Sequence, residues 1–323
     1  MPSTLIVGEL IHTLNLSKYS YSRTGTPKND DLFGFRAVMS AGSSSPPVGP
    51  ATMDYINIGV MSDATDFGDQ SQSRFFNSAV TNGSRGVFGG GRVPGPSHVD
   101  TIDFISILTT GNSIDFHELT QARSTVAGAA NGSRGLYCSG DTGSWSDRTD
   151  YITIGTLGAC TEFGGEASYI AGYKYGFSNG HRGIFAGGYF APYSDVIEYF
   201  NIGNGSGTAV DIGNMTVARN AGAGVYDGNR GVAYAGDGAT DNVIDYFSMG
   251  ALGNAVDFGD SHTTNNNRGS TGGVNGSRGT IAGSDTSPKD MIDYINVGTA
   301  SNGMDFGGEL SIERANPAAC SGG

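Results

Sequence analysis

The stretch Asn131-Gly132-Ser133-Arg134-Gly135 decides the fold, because close copies of it return along the chain. The copies are Asn82-Gly83-Ser84-Arg85-Gly86, Asn179-Gly180-His181-Arg182-Gly183, Asp227-Gly228-Asn229-Arg230-Gly231 and Asn275-Gly276-Ser277-Arg278-Gly279. Their arginines lie 49, 48, 48 and 48 residues apart, and another 49 residues back from Arg85 stands Arg36, in a weaker match. A fixed period of this length is the signature of a repeat architecture, so the chain contains six copies of one unit.

Two further markers keep register with the first. An acidic residue followed by an aromatic one recurs about 17 residues after each copy, at Asp54-Tyr55, Asp103-Phe104, Asp150-Tyr151, Glu198-Tyr199, Asp245-Tyr246 and Asp293-Tyr294. A third marker follows 12 or 13 residues later, at Asp66-Phe67-Gly68, Asp115-Phe116-His117, Glu162-Phe163-Gly164, Asp211-Ile212-Gly213, Asp257-Phe258-Gly259 and Asp305-Phe306-Gly307. The Asp-Phe-Gly copies do not indicate a kinase, since they recur in nearly every unit without a glycine-rich phosphate loop or catalytic-loop sequence.

The local pattern of one unit predicts four short strands. Ser124 to Ala130 forms the first strand, and Asn131-Gly132 is typical of a tight hairpin turn into a second strand, Gly135 to Cys138. Thr149 to Ile154 alternates polar and apolar residues as a half-buried third strand, and the fourth runs from about Cys160 to Phe163. Four strands in 40 to 50 residues make a propeller blade, so we predict an all-β, six-bladed β-propeller with four antiparallel strands per blade.

The two ends of the repeat region predict how the ring closes. The region opens on a second strand, Phe33 to Ala41, and finishes on a first strand, Ala315 to Cys320. We therefore expect the C-terminal strand to complete the first blade, which removes free strand edges. The predicted organisation is a propeller over residues 33–323, preceded by a non-repeated segment, residues 1–32.

The repeats resemble those of Kelch-type propellers. Small pairs end the second strands, at Gly90-Gly91, Ser139-Gly140, Gly187-Gly188, Ala235-Gly236 and Ala282-Gly283. Phenylalanines take the place where Kelch repeats usually have tryptophan, at Phe67, Phe116, Phe163, Phe258 and Phe306. A basic residue precedes most first strands, at Arg74, Arg123, Arg219, Arg268 and Arg314. The tryptophan-to-phenylalanine change and the incomplete glycine pairs depart from the Kelch pattern, so the repeat is Kelch-like.

Composition and charge exclude several partners. A net charge of -13 argues against nucleic acid, which needs a basic face. No apolar run approaches the ~18 residues of a membrane helix, and the N-terminus does not resemble a signal peptide. The three cysteines, Cys138, Cys160 and Cys320, are expected to be free thiols.

The polar residues do not predict a catalytic or metal site. The five histidines lack metal-ligand spacing, no nucleophile motif occurs, and no cofactor is predicted. Instead, the six arginines that begin the second strands equal the acidic residues of the third strands in number and spacing, which predicts structural ion pairs. Paired carboxylates keep a propeller enzyme acting on polysaccharide as a reserve hypothesis, but we predict that the chain is not an enzyme.

The repeats differ most in the loops between second and third strands, which in Kelch geometry lie on one face. Those loops are Gly42 to Thr52, Arg92 to Thr101, Asp141 to Arg148, Tyr189 to Asp195 and two shorter polar ones. Exposed aromatics on loops suit sugar or protein contacts, so the candidate binding residues are Trp145, Tyr189, Phe190 and Tyr193, together with Arg92 and His98. The alternative is that these aromatics fold back over their own blades.

The non-repeated segment carries a second resemblance. Ser3-Thr4-Leu5-Ile6-Val7-Gly8-Glu9-Leu10 is similar to the opening of many tail-fibre proteins of marine and cyanobacterial phages, and the Gly-Val-Phe-Gly-Gly and Ile-Asp-Tyr-Ile types of repeat resemble those of large virion proteins of the same phages. The resemblance implies a virion component assembled in the host cytoplasm and released by lysis. Residues 1–32 would dock on other virion proteins while the propeller faces outward.

Two functions follow from that resemblance. The chain is either a tail or fibre adhesin that contacts a host-surface glycan or protein through the loop face, or a capsid decoration or tail scaffold without receptor binding. A homo-oligomer remains open, and membrane insertion is not expected.

Overall fold

The computed structural model describes residues 35–43, 51–95, 97–238, 240–251, 253–263, 271–274 and 277–322. These residues form six four-stranded antiparallel sheets, which confirms the predicted all-β, six-bladed propeller. The segment 1–32, and with it the predicted attachment role, lies outside the described residues. Within them, no helix has the length and apolar character needed to cross a membrane.

Each blade runs from an inner strand at the ring axis to an outer strand at the rim. Blade 1 contains β1 Arg36–Met39, β2 Thr52–Asn57 and β3 Thr65–Asp69. Blade 2 contains β4 Ser78–Thr81, β5 Arg85–Gly89, β6 Thr101–Ser106 and β7 Ile114–Glu118. Blade 3 contains β8 Ala127–Ala130, β9 Arg134–Asp141, β10 Trp145–Thr153 and β11 Thr161–Glu166.

The second half of the ring repeats this order. Blade 4 contains β12 Tyr175–Ser178, β13 Arg182–Ala186, β14 Val196–Asn201 and β15 Val210–Asn214, with a short 3-10 helix at Ile202–Asn204. Blade 5 contains β17 Ala223–Tyr226, β18 Arg230–Tyr234, β20 Val243–Ser248 and β21 Val256–Asp260, and a small separate ribbon pairs β16 Arg219–Asn220 with β19 Asp237–Gly238. Blade 6 contains β22 Thr271–Val274, β23 Arg278–Ala282, β24 Met291–Asn296 and β25 Met304–Glu309.

The last strand, β26 Ala319–Gly322, closes the ring as predicted. It pairs antiparallel with β1, where Val38 lies opposite Cys320, and so supplies the inner strand of blade 1. It also lies between the inner strands of blades 6 and 2, which makes the circle of inner strands continuous. The closing strand begins at Ala319, later than expected, because Ala315 forms only an isolated bridge, with Ser43.

The core lies between blades, since each sheet buries side chains on both faces. Phe177 of blade 4 meets Phe247 of blade 5 edge to face at 5.0 Å between ring centroids. The third strand of a blade shows this burial on both faces. In β6, Ile102, Asp103 and Ile105 are buried, and only the last residue, Ser106, is exposed. Adjacent blades therefore stabilise one another, as sheet-on-sheet packing requires.

The asparagine-glycine turns lie on the face opposite the long loops, called here the turn face. In the first of them, the Oδ1 atom of Asn82 accepts hydrogen bonds from the backbone N–H groups of Ser84 and Arg85, at 3.1 and 2.7 Å. Gly83 has a φ of 86°, a left-handed conformation that glycine adopts without strain. The recurring Asn-Gly-Ser sequence is thus explained by this turn.

The predicted pairing of the second-strand arginines with the third-strand acids is wrong. Each of these arginines instead stacks on the aromatic residue that follows the acid, with the guanidinium carbon 4.2 to 5.0 Å from the ring centroid. Arg85, for example, lies over Phe104 and donates from Nη1 to the carbonyl of Ile154 in the next blade, at 2.9 Å. The reason is register: Arg85 pairs with Ser106, whereas Asp103 pairs with Phe88, three residues toward the other face.

The buried acids pair with a different set of cations, which precede the inner strands. The pairs join Arg314 to Asp54, Arg74 to Asp103, Arg123 to Asp150, Lys174 to Glu198 and Arg219 to Asp245, at 2.7 to 3.0 Å. The sixth acid, Asp293, accepts a hydrogen bond from the Tyr234 hydroxyl at 2.8 Å. Arg268, which holds the repeat position of the other cations, lies outside the described residues.

The third sequence marker, the Asp-Phe-Gly motif of the outer strands, packs each outer strand against the next blade. Asp66 accepts a hydrogen bond from the Gly68 amide at 3.1 Å, beside a register shift between β2 and β3. Gly68 has a φ of 134°, and a Cβ there would collide with the backbone of Gly111 in blade 2. The Asp-Phe-Gly copies are therefore structural.

Candidate functional site

One end of the central channel is framed by residues in a strained backbone conformation. Four of these residues lie two positions after a buried arginine, and the fifth, Tyr173, holds the equivalent place in blade 4, directly before Lys174. All five have φ between 55 and 59°: Phe76, Thr125, Tyr173, Ala221 and Asn316. Bulky and β-branched residues rarely adopt this left-handed region. Backbone strain of this kind is retained where the surrounding structure fixes it, often at functional sites.

Backbone hydrogen bonds link these positions around the channel. The amide of Thr125 donates to the carbonyl of Phe76 at 2.8 Å, the amide of Tyr173 donates to Thr125 at 3.1 Å, and that of Ala221 donates to Tyr173 at 3.0 Å. The strained residues of four consecutive blades are thus joined in an arc, which fixes the shape of the channel mouth.

A cleft of about 320 Å³ opens at this mouth, on the face that carries the long loops. Several blades contribute its lining residues, and the repeat positions among them carry different residue types: Phe76, Tyr173, Tyr189, Tyr193, Asn220, Ala221, Asp237, Asp285 and Asn316. Beneath it, a narrower channel of about 110 Å³ passes between the inner strands. We call this group of nine residues the channel-mouth cleft.

Aromatic rings form one side of the channel-mouth cleft. Trp145 of blade 3 contacts Tyr173 and Tyr189 of blade 4 edge to face, at 6.1 and 5.9 Å between centroids. The ring centroids of Tyr189 and Tyr193 lie 5.3 Å apart, and those of Tyr173 and Phe76 also lie 5.3 Å apart. The five rings therefore form a continuous half-buried cluster across three blades, with the tryptophan behind the tyrosines.

A close backbone approach makes room for the tryptophan. A Cβ added to Gly172 would overlap the Trp145 ring, so only glycine fits at that position. Gly172 also forms an isolated β-bridge with Tyr189, which holds the Tyr189 loop against the segment leading to Tyr173.

Hydrogen-bond acceptors form the side of the channel-mouth cleft that faces the aromatic rings. The Tyr193 hydroxyl donates to Oδ2 of Asp237 at 3.0 Å. Asn220 and Asn316 are 5% and 6% exposed, and their Oδ1 atoms accept no hydrogen bond from the described residues. Buried acceptors are nearly always paired, so two unpaired ones in a single cleft call for a physical explanation. The described lining contains two carboxylates, from Asp237 and Asp285, but no lysine, arginine or histidine.

The channel below is held by a buried tyrosine. Tyr175 donates from its hydroxyl to the carbonyl of Ala235, and burial raises its pKa to about 12 although Arg219 opposes the shift. The phenol therefore stays neutral at physiological pH and acts as a fixed structural donor.

The predicted candidate residues fall into three groups. Trp145, Tyr189 and Tyr193 come together as one cluster, although only the two tyrosines line the cleft. Phe190 is 53% exposed and lies at the tip of its loop, outside the cleft lining. His98 lies apart, where Nδ1 is 3.1 Å from the Ser124 hydroxyl.

Arg92 stands beside His98, away from the described lining. It forms isolated β-bridges with Phe75 and with His98, so its backbone anchors the loop of blade 2. The expectation that Asp141 to Arg148 is a loop needs correction, because β9 extends to Asp141 and β10 begins at Trp145. Trp145 pairs with Asp141 across this extended hairpin, which fixes the indole on a strand.

Sequence reasoning missed Phe76, Tyr173, Asn220, Asn316 and Asp237. A signal was present at the position two residues after each of the buried arginines, where the repeats carry Phe76, Thr125, Ala221 and Asn316 instead of one shared residue. Variation at one position of an otherwise regular repeat marks residues that the scaffold does not require.

No group of three or more His, Cys, Asp or Glu side chains suited to a metal ion occurs in the described part of the chain. The fold and site define a six-bladed β-propeller whose unequal residues gather in a channel-mouth cleft. No protein-family model and no curated protein sequence matches the chain.

Proposed function

We propose that this chain is a phage virion protein, a tail or fibre component that contacts the host surface through the channel-mouth cleft and its surrounding loops. The virion assignment rests on the resemblance of Ser3 to Leu10 and of the repeats to phage fibre and virion proteins. Residues 1–32 would join the propeller to other virion proteins.

The observation that carries the contact role is the concentration of non-repeated residues at the channel mouth. The repeated charged residues have structural roles: they form buried ion pairs and arginine contacts between blades. The cleft, by contrast, joins half-buried aromatic rings to polar acceptors. Aromatic groups on loops held by a rigid scaffold are typical of recognition surfaces.

A second candidate is a capsid decoration or tail scaffold protein, and exposed apolar residues on the turn face favour it. Most of the large apolar side chains that the described part of the chain exposes lie there, namely Phe35, Val60, Met61, Leu108, Ile114, Leu157, Val210 and Val256. Several exposed apolar side chains on one face suit contact with neighbouring proteins. The same face serves an adhesin equally well as its contact with the particle.

The test is binding of the fluorescently labelled full-length protein to marine bacterial and cyanobacterial cells. We expect binding by the unaltered protein and loss of binding in the double variant Trp145→Ala, Tyr193→Ala. The matched control is Leu108→Ala on the turn face, which should bind as well as the unaltered protein. If the purified protein does not bind cells and particles that lack it fall apart, the scaffold candidate is supported. Release of reducing sugar from host envelope would support the reserve hypothesis, an enzyme acting on polysaccharide.

A further inference from the structure

We infer that the channel-mouth cleft, and not the tips of the surrounding loops, binds an uncharged saccharide and excludes acidic ones. This inference rests on the proposed function and deepens it, since it assigns a site and a ligand class to the host contact.

The size of the cleft sets the first limit. Its volume of about 320 Å³ lies at the lower end of the range for small-molecule sites, about 300 to 1,000 Å³. Roughly one or two sugar rings fit such a space, whereas a folded protein partner would contact the loop tips first. The strained residues and the backbone bonds between Phe76, Thr125, Tyr173 and Ala221 preform the shape, which reduces the ordering cost of binding.

The unpaired amide oxygens set the second limit. Oδ1 of Asn220 and Oδ1 of Asn316 both belong to lining residues and have no hydrogen-bond donor among the described residues. Leaving a buried acceptor unpaired costs free energy, so a ligand hydroxyl that donates to it gains affinity. Asn316 also donates from Nδ2 toward the Ser43 hydroxyl at 3.5 Å, which leaves its oxygen as the group available to a ligand.

The aromatic side supplies the complementary surface. A pyranose has a face of C–H groups and a rim of hydroxyl groups, and it therefore matches a cleft with rings on one side and acceptors on the other. Tyr173, Tyr189 and Tyr193 are all half-buried, and Trp145 supports the first two from behind.

Charge decides among saccharides. Asp237 and Asp285 place negative charge in the cleft, and the described lining has no cationic side chain to pair with a carboxylate, sulfate or phosphate. Burying an unpaired charge is costly, so uronic, sialic and phosphorylated sugars are disfavoured.

The test is a titration of the full-length protein with lactose, maltose and mannobiose, and with sialyllactose as the acidic counterpart of lactose. Calorimetry measures affinity, and the fluorescence of Trp145, the single tryptophan, reports on the cleft. We expect at least one neutral disaccharide to bind and sialyllactose not to bind.

Two variants locate the site. Asn220→Ala removes one unpaired oxygen, so it should weaken the neutral disaccharide about tenfold while the thermal midpoint stays unchanged or rises. Ile170→Ala is the control, because Ile170 is exposed and lies outside the cleft lining. It should leave affinity unchanged.

Three results would overturn the inference. Preference for sialyllactose would contradict the charge argument. Loss of binding in Phe190→Ala with full binding in Asn220→Ala would move the site to a loop tip. Cell binding that depends on Trp145 and Tyr193, without affinity for any saccharide in the panel, would leave the proposed function standing and refute the ligand class. Absence of cell binding, by contrast, counts against the proposed function itself.

Discussion

Nη2 of Arg74 lies 2.9 Å from Oδ2 of Asp103, and both side chains are fully buried. Arg74 also donates to the carbonyls of Thr101 and Phe88, while Ser71, from the segment that follows blade 1, donates to Oδ1 of Asp103 at 2.8 Å. Burial lowers the pKa of Arg74, and the attraction of Asp103 opposes that shift. The pair is therefore held by a network that joins one blade to the next.

Breaking this pair is expected to destabilise the propeller more than removing an arginine of the repeated turn. Arg74→Ala leaves the Asp103 carboxylate buried without its cation, which should lower the free energy of unfolding by about 3–5 kcal/mol. Arg85→Ala removes one ring contact and one hydrogen bond at a half-buried position, so it should cost about 1–2 kcal/mol. Urea unfolding measures both, and equal losses would show that the buried pair has no special weight.

The closing strand should be needed for the ring. Deleting residues 319–323 removes the inner strand of blade 1 and uncovers the edge of β1, which pairs with β26 through Val38 and Cys320. We expect a lower thermal midpoint and faster amide hydrogen exchange in β1 and in β4, the inner-strand neighbour of β26.

A rescue variant separates the loss of the strand from the loss of the chain end. Placing residues 315–322, followed by a Gly-Ser turn, between Phe35 and Arg36 returns the inner strand to blade 1 by a hairpin like those of the other blades, because Gly322 lies opposite Arg36 as Asn82 lies opposite Arg85. The thermal midpoint should recover most of its loss. A deletion with unchanged midpoint and exchange would contradict the closing role.

The fold was predictable because it depends on residues that repeat. Asn131-Gly132 dictates a turn by its own conformational preference, and the spacing of five such turns, with the weaker copy at Arg36, fixes the number of blades. The ion pairs were mispredicted because spacing along the chain does not reveal register: Arg85 and Asp103 occupy opposite ends of paired strands.

The site was only partly predictable, since a cleft depends on which blades meet at the axis. Trp145, Tyr189 and Tyr193 were identifiable as unequal aromatics within variable loops. Asn220 lies in the two-residue strand β16 and Asn316 follows the bridge between Ala315 and Ser43, and neither position is marked as part of a cleft by its local sequence. Their importance emerges from two buried oxygens without donors, a property of the folded state alone.

Gly172 should be required for the position of Trp145. In Gly172→Ala, the new methyl group would overlap the indole ring and approach the Thr125 hydroxyl, so the indole must move. We expect a shift of the tryptophan emission maximum and a loss of about 1–3 kcal/mol in unfolding free energy. Gly155→Ala is the matched control, because a Cβ there meets no atom within 4 Å. The same emission maximum in both variants would contradict the close packing.

The free energy of unfolding should fall at alkaline pH, because two cysteine thiols and a tyrosine hydroxyl are harder to ionise in the folded protein than in the unfolded chain. Burial raises the pKa of Cys320 and of Cys160 to about 12, and Tyr175 reaches a similar value for the same first cause. Because these pKa values are raised on folding, their contribution is fully present below about pH 9 and is lost as pH rises from about 9 toward 12, where the unfolded chain ionises first. Each such group then costs about 1.4 kcal/mol per pH unit.

The measurement is the urea midpoint at pH 7 and at pH 10, which should be lower at pH 10. Cys320→Ala provides the control, since it removes one ionisable group from the set and should reduce the difference between the two midpoints, whatever it does to the midpoint at pH 7. The thiols supply an independent reading: Cys138 and Cys320 are buried, so a thiol reagent at pH 8 should label them only after unfolding in urea. Rapid labelling of the native protein, or a midpoint that does not change between pH 7 and pH 10, would mean that these groups are not held neutral by the fold.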